Sequence, residues 1–199
     1  MNLSRLQYNC IGTVAQHCDS NKLCISENEA SNYDLAELFC DFWYEIEQIQ
    51  VEVKAYEDAP EPKPEPPVNY AEKKQLLEGG TFLDCDSKQR PFGGVYKILA
   101  MYSYSRYVIL NGFSDTPNGV VTKTNEFSIP KSLKELETFA DKYRNMGRIE
   151  FKRTQQFICS NKTIFDYDHC PKNKCGCGAK KCSEGTQAKG YGFKGRNIG

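Results

Sequence analysis

The chain has 199 residues, its 26 Lys and Arg residues balance its 26 Asp and Glu residues, and 39% of its residues are hydrophobic. This length predicts one domain with appendages or two small domains. No apolar run approaches the ~18 residues that a membrane span needs, which excludes an integral membrane protein. The first ten residues lack the continuous apolar stretch of a secretory signal, so we expect a protein that is made in the cytoplasm.

The zero net charge conceals a strong asymmetry along the chain. Residues 26–65 contain 12 acidic and two basic residues, whereas residues 171–199 contain seven basic residues and one acidic residue. This pattern favours a molecule that meets different partners at its two ends. A solvated acidic helix and a loose basic tail would give the same pattern.

The first part of the chain predicts two helices. Residues 3–18 carry apolar side chains at helical spacing, and residues 19–22 have the composition of a turn. Ser26 or Asn28 can cap a second helix. Its apolar residues repeat at steps of three and four as far as Val53, which predicts one long amphipathic helix.

A proline-rich segment follows at residues 59–67, where alternate prolines favour an extended, semi-rigid linker over a recognition motif. A short helix is predicted from Tyr70 to Leu77, ended by Gly79 and Gly80. Residues 95–110 are apolar or aromatic on almost every side, which favours a buried helix over a pair of β-strands. A turn at 113–119 and a short extended arm at 120–124 are predicted next.

The last helix is predicted to begin at Ser132, because Glu135 three residues later completes a capping box. Its apolar stripe contains Gly147, which indicates a close approach of two backbones or a kink. The predicted fold is therefore mainly α: a bundle of long amphipathic helices with an extended arm, a Pro-rich linker and a Cys-rich irregular tail. We divide the chain into residues 1–57, 58–68, 69–158 and 159–199.

Four cysteines in the tail form the pattern C-x4-C-x-C-x4-C, with glycines between them. Four thiolates suit a closed, structural zinc site, so the candidate ligands are Cys170, Cys175, Cys177 and Cys182. Scattered thiols or disulfides are the alternatives. The N-terminal set is expected to pack in the core as small apolar side chains; it consists of Cys10, Cys18, Cys24 and Cys40.

No catalytic constellation is visible, and we expect no enzyme. His17 and His169 are the two histidines, and neither stands in a recognisable pairing with a nucleophile. The tail combines basic residues with Tyr191 and Phe193 among glycines. Such a segment can bind nucleic acid, or it can be an arm that orders on a neighbouring protein, which we favour.

The middle of the chain resembles the head–tail connector (adaptor) proteins of tailed bacteriophages, above all the neck-ring proteins of crAss-like phages. The resemblance rests on three motifs: Tyr96-x5-Tyr102-x-Tyr104-x-Arg106-Tyr107, then Asn111-Gly112 with Asp115-Thr116-Pro117-Asn118-Gly119-Val120-Val121-x-Lys123, then Tyr143-Arg144-Asn145-Met146-Gly147. It covers about residues 92–158. The proline-rich segment and the Cys-rich tail depart from the compact adaptor pattern.

The resemblance implies a structural virion protein that forms a ring, expected to hold twelve copies, in the phage neck between the portal protein and the tail. The ring would extend the channel for packaged DNA and dock further neck or tail proteins, after assembly in the host cytoplasm. The residues expected to contact neighbouring subunits or partners are Thr116, Gly119, Val120, Val121, Lys123, Tyr191 and Phe193. The alternative function is a zinc-stabilised nucleic-acid-binding module that uses the basic tail.

Overall fold

The computed structural model describes residues 3, 8, 19–84, 86–116, 119–122 and 132–168, and it is mainly helical, as the sequence predicts. The elements in chain order are α1 (Ser20–Glu29), a π-helical segment (Ala30–Leu35), α2 (Ala36–Phe39), α3 (Phe42–Glu57), α4 (Tyr70–Glu78), β1 (Gly80–Leu83), β2 (Gln89–Phe92), α5 (Gly94–Gly112), β3 (Phe113–Thr116), β4 (Gly119–Thr122) and α6 (Leu133–Ser160).

The first described helix begins earlier than predicted. Asp19 has extended backbone angles, and its side chain accepts hydrogen bonds from the amides of Asn21 and Lys22 at 3.0 and 3.2 Å. It therefore caps the helix. The prediction of a turn at 19–22 is wrong, because an Asx turn and a helix N-cap share the same local hydrogen bonds.

The single long helix predicted as far as Val53 is also wrong, because the chain bends at Cys40. This residue adopts φ 52° and ψ −134°, which ends α2 and lets α3 start at Phe42. Phe39 packs edge-on against Phe151 of α6, with ring centroids 5.0 Å apart. Phe42 instead lies 5.1 Å from the ring of Tyr167. The bend buries these two rings against different partners.

The proline-rich segment has no regular structure and is largely exposed, and it joins two helices that pack against each other. The rings of Tyr56 and Tyr70, one before and one after it, lie 4.7 Å apart. The amine of Lys73 meets the carboxylate of Glu52 at 2.6 Å across the same contact. The ends of the segment are therefore close together. The division into four parts stays a prediction.

Two antiparallel hairpins interrupt the helices, and the sequence does not predict the first. Of the second, the sequence predicts the extended arm at 120–124, which overlaps β4, but the turn predicted at 113–119 is wrong where residues 113–116 form β3. Strand β1 pairs with β2 in the register Gly80↔Phe92, and β3 pairs with β4 in the register Phe113↔Thr122. At the base of the first hairpin Gly94 has φ +70°, and a Cβ there would collide with the backbone of Gly79. Only glycine fits at this crossing of the chain.

Helix α5 lies at the centre of the core, as its apolar composition predicts. Its buried side chains include Val95, Ile98, Leu99 and Tyr102. They join one hydrophobic cluster with residues from the π-helical segment, from α2, α3 and α4, from both strands of the first hairpin, from α6 and from the segment after it, among them Leu35, Phe39, Ile46, Leu76, Phe82, Phe92, Phe157 and Phe165. Helices on both sides of the proline-rich segment therefore share this core.

Helix α6 runs antiparallel to α5, with contacts from Gly112 and Leu136 at one end to Lys97 and Glu150 at the other. The capping box is confirmed: the hydroxyl of Ser132 accepts from the amide of Glu135, and the carboxylate of Glu135 accepts from the amide of Ser132. Gly147 lies against the ring of Tyr102, and a Cβ added there would be 2.7 Å from its Cε2 atom. Gly147 thus lies in a close contact of the two helices, but the three atoms nearest to the added Cβ belong to the side chains of Tyr102 and Met101, not to a backbone as predicted.

Among the described residues, no helix combines the length and the apolar character needed to cross a bilayer.

Replacement of Gly147 by Ala should destabilise the fold by about 1–3 kcal/mol, because the added methyl group overpacks the α5–α6 contact. At an exposed helix position the same change would stabilise the protein by up to about 1 kcal/mol. The check is urea unfolding followed by circular dichroism, with Asn145→Ala, exposed on the same helix, as the control. Equal or greater stability of Gly147→Ala would contradict the proposed contact.

Candidate interaction surface

Arg106, in the tyrosine- and arginine-rich motif of α5, makes contacts within the molecule. Arg106 donates to the carboxylates of Asp34 at 2.6 Å and Glu29 at 3.1 Å, and its guanidinium lies 5.8 Å from the ring centroid of Tyr33. The hydrogen bond with Asp34 is the main reason why the pKa of Arg106 is raised. This cluster ties α5 to the π-helical segment, which presents Tyr33 and Asp34 toward the guanidinium.

The beginning of α1 is held to the last turns of α5 by polar contacts. The hydroxyl of Tyr107 accepts from the amide of Asp19 at 3.1 Å, and the amine of Lys22 donates to the carbonyl of Leu110 at 3.1 Å. The carboxylate of Glu27 is buried and accepts from the hydroxyl of Tyr8 at 3.0 Å. Burial raises the pKa of Glu27 and is the largest influence on it.

A row of aromatic rings joins α5 to the first half of α6. The ring of Tyr143 lies edge-on to Tyr104 at 4.8 Å and to Phe139 at 5.2 Å, and Tyr104 stacks on Tyr107 at 6.0 Å. Such ring pairs contribute beyond the area that they bury. The row therefore holds the end of the helix pair that carries the second hairpin.

The opposite end of the helix pair is held by Glu150, which is buried. Its carboxylate accepts from the amide of Gly93 at 3.1 Å and from Arg153 at 2.9 Å, and it pairs with Lys97 at 3.4 Å. Three donors thus compensate one buried charge, as a buried carboxylate requires. This arrangement ties the end of β2 and the start of α5 to α6.

The second hairpin starts where the two long helices meet. Helix α5 ends at Gly112, and a Cβ there would be 2.5 Å from the Cδ1 atom of Leu136 on α6. Strand β3 follows directly, and its register with β4 places Thr116 opposite Gly119, Asp115 opposite Val120 and Ser114 opposite Val121. Four predicted contact residues thus lie in one hairpin: Thr116, Gly119, Val120 and Val121.

The other predicted site residues lie outside the described residues: Lys123, Tyr191, Phe193 and the four candidate zinc ligands Cys170, Cys175, Cys177 and Cys182. Within the described part of the chain, no group of three His, Cys, Asp or Glu residues is placed to hold a metal ion. Cys24 and Cys40 are exposed, so the prediction that they pack in the core is wrong. Their neighbours Ser26 and Phe39 face the interior instead.

Helix α3 has an outer face with exposed apolar side chains, which the sequence does not predict. It consists of Tyr44, Glu47, Gln48, Val51 and Ala55 together with the C-cap residue Asp58, and we call it the acidic face. Tyr44 and Val51 are 70% and 64% exposed although they are large and apolar. They are seven residues apart, so they lie on one side of the helix.

Helix α6 has a corresponding outer face, the basic face, which consists of Lys142, Asn145, Arg148, Ile149, Lys152 and Gln156. All six side chains are exposed, and Ile149 is 52% exposed. The sequence contains a signal for each face: Tyr44 and Val51 are seven residues apart, and Ile149 lies among basic residues. The buried residues of the same helices have similar spacing, so the sequence alone does not distinguish the exposed faces from the buried ones.

Arg106 and Asp34 should show a coupling free energy of about 1 kcal/mol, as expected for a partly exposed ion pair with good geometry. The measurement is a double-mutant cycle of urea unfolding with Arg106→Gln, Asp34→Asn and the combined variant. The coupling should shrink in high salt. A control cycle pairs Arg106→Gln with Glu137→Gln on α6, for which additivity is expected; additivity of Arg106 and Asp34 would contradict the ion pair.

Replacement of Glu150 by Ala should lower the free energy of unfolding by about 2–3 kcal/mol, because it removes three hydrogen bonds to a buried charged group. Glu137→Ala, at an exposed position of α6, should change it by less than about 0.5 kcal/mol. Thermal and urea unfolding of both variants give the comparison. A loss in Glu150→Ala no larger than in the control would refute the role of this carboxylate.

The family model that matches the chain is DUF6712, a family of unknown function, and the match covers residues 63–177. It includes α4, both hairpins, α5 and α6. No curated protein matches the chain. No solved structure matches it either. Since the match covers more than half of the sequence, the chain belongs to the DUF6712 family.

Proposed function

We propose that this protein is a structural component of a phage virion, one that forms an oligomeric ring in the neck between portal and tail. In this proposal the ring holds twelve copies, extends the DNA channel and docks further neck or tail proteins. The protein acts by assembly, without catalysis. Its partners are the portal protein, other neck proteins and further copies of itself.

One observation carries the proposal: the three motifs that resemble connector proteins lie together in a single unit, α5, the β3–β4 hairpin and α6. Tyr102 and Gly147 come from two of these motifs and touch each other. Tyr104 and Tyr143 form a second contact between the same motifs. The remaining motif, which starts at Asn111-Gly112, contains the hairpin, and the hairpin begins where the helices meet.

The way in which this unit is built suits a ring subunit. The helices are fixed to each other at both ends, by Glu150 at one end and by the aromatic row at the other. The hairpin is thus held on a rigid base, as a precise contact with a neighbour requires. Thr116, Gly119, Val120 and Val121 in the hairpin are the proposed contacts to the adjacent subunit, together with Lys123.

The test is the copy number of this chain relative to the portal protein in purified particles of the phage that encodes it, measured by quantitative mass spectrometry. We expect a ratio near one, because portal and neck ring would share one symmetry. The major capsid protein serves as the internal standard. Absence of the chain from the particle would refute the proposal.

A variant links this test to the hairpin. Residues 113–122 are replaced by a short Gly-Ser connection, and the variant is supplied during infection in place of the natural chain. We expect particles in which the ratio falls well below one, while the purified variant keeps its helical circular dichroism. An unchanged ratio would show that the hairpin does not contribute to assembly.

A further inference from the structure

The acidic and basic faces lie on stretches of the chain with opposite net charge. Residues 41–58 contain six acidic residues and one basic residue, and residues 142–162 contain six basic residues and one acidic residue. The single acidic residue in the second set is Glu150, which is buried and compensated by Lys97 and Arg153. The outer surface around α6 is thus positive. Around α3, Lys73 and Lys74 compensate Glu52 and Glu57, and the other acidic residues leave that surface negative.

The charges on these faces are available for a partner. Among the described residues, Glu47 and Asp58 on the acidic face make no ion pair, and neither do Lys142 and Lys152 on the basic face. Arg148 donates to Asn145 within its own face. Large apolar side chains are also exposed, Tyr44 and Val51 on the acidic face and Ile149 on the basic face, and they gain free energy when they are covered.

The two faces also match in spacing when the helices run antiparallel. On the acidic face Glu47 and Asp58 are separated by about 16 Å, and on the basic face Lys152 and Lys142 by about 15 Å, at 1.5 Å per residue. Between the charges, Val51 lies about 6 Å from Glu47, and Ile149 about 4.5 Å from Lys152. The antiparallel register therefore pairs the faces position by position: Tyr44 with Gln156, Glu47 with Lys152, Val51 with Ile149, Ala55 with Asn145, and Asp58 with Lys142.

We infer that the acidic face of α3 in one copy of this chain docks antiparallel on the basic face of α6 in the next copy. The partner is a second copy because each chain carries both the acidic face and the basic face, with charges at nearly the same spacing. A symmetric contact of two acidic faces or of two basic faces would bring like charges together, which is unfavourable.

This contact joins two different surfaces, so it leaves one of each open on every pair and propagates from copy to copy. The inference thus deepens the proposed function. It rests on that function for one point, namely that the successive contacts close into a ring. Tyr44 contributes a flat aromatic surface at one end of the contact, opposite Gln156 of the neighbour.

Charge reversal of the full-length protein tests the contact. One variant reverses the acidic face (Glu47→Lys with Asp58→Lys), and the other reverses the basic face (Lys142→Glu with Lys152→Glu). Sedimentation velocity at low ionic strength should show self-association of the natural chain, which weakens in high salt. Each variant alone should associate at least about tenfold more weakly.

An equimolar mixture of the two variants should regain the association of the natural chain. In the mixture, every reversed acidic face meets a reversed basic face, and every natural face meets a natural one, so the copies alternate. Two variants with matched charge changes outside the faces should associate normally: Glu137→Lys with Asp86→Lys, and Lys134→Glu with Lys162→Glu. Circular dichroism checks that all four are folded.

The outcomes separate this inference from the proposed function. If the natural chain associates and the reversed variants associate equally well, the faces are refuted while a ring through other surfaces stands. If both variants lose association and the mixture does not regain it, the pairing of these two faces is refuted. A natural chain that stays monomeric also overturns the inference, whereas the copy number in particles judges the neck-ring proposal independently.

Discussion

The contact between α5 and α6 is the interaction on which the other parts of the structure depend. Helix α5 is buried on most of its circumference, so it needs neighbours on every side. Gly147 lets α6 approach Tyr102 closely enough to cover one side, and the helices from α1 to α4 cover the others. Because the interior of a protein is packed as tightly as a crystal, a change in this one distance would be felt throughout the core.

A polar cluster at one end of this contact prevents the two helices from sliding along each other. Apolar packing alone allows related registers, since ridges recur every three or four residues. Glu150 permits one register only, because its carboxylate must meet both the amide of Gly93 and the amine of Lys97. Arg106 aligns α5 in the same way with the helices before it, because it engages Glu29 at the end of α1 and Asp34 in the π-helical segment. Specific polar contacts thus determine the alignment, and apolar burial supplies most of the stability.

Local signals predicted the long helices well, and long-range contacts account for the errors. The capping box at Ser132 and the apolar composition of residues 95–110 are short-range features, and both helices are present.

The bend at Cys40 was missed because the apolar repeat continues through it in the same steps of three and four. The hairpin of β1 and β2 was missed because its strands are short and only Phe82 and Phe92 are buried, so no alternation is visible. The partner of Arg106 lies 72 residues away in a chain with many carboxylates, and sequence spacing cannot select it. The outer faces of α3 and α6 were missed because an exposed heptad and a buried one look alike until the fold shows which side faces water.

The proline-rich segment has a practical consequence. Its two ends are held together by Tyr56 with Tyr70 and by Glu57 with Lys74, so the contact between α3 and α4 does not depend on the residues between them. Doubling the length of a closed, flexible loop costs only about 0.6 kcal/mol of chain entropy. Residues 61–66 are exposed and make up the middle of this loop. An affinity tag or a small fluorescent domain inserted there would leave the core, the second hairpin and the outer face of α6 untouched, which makes the loop a suitable handle for following the protein during assembly.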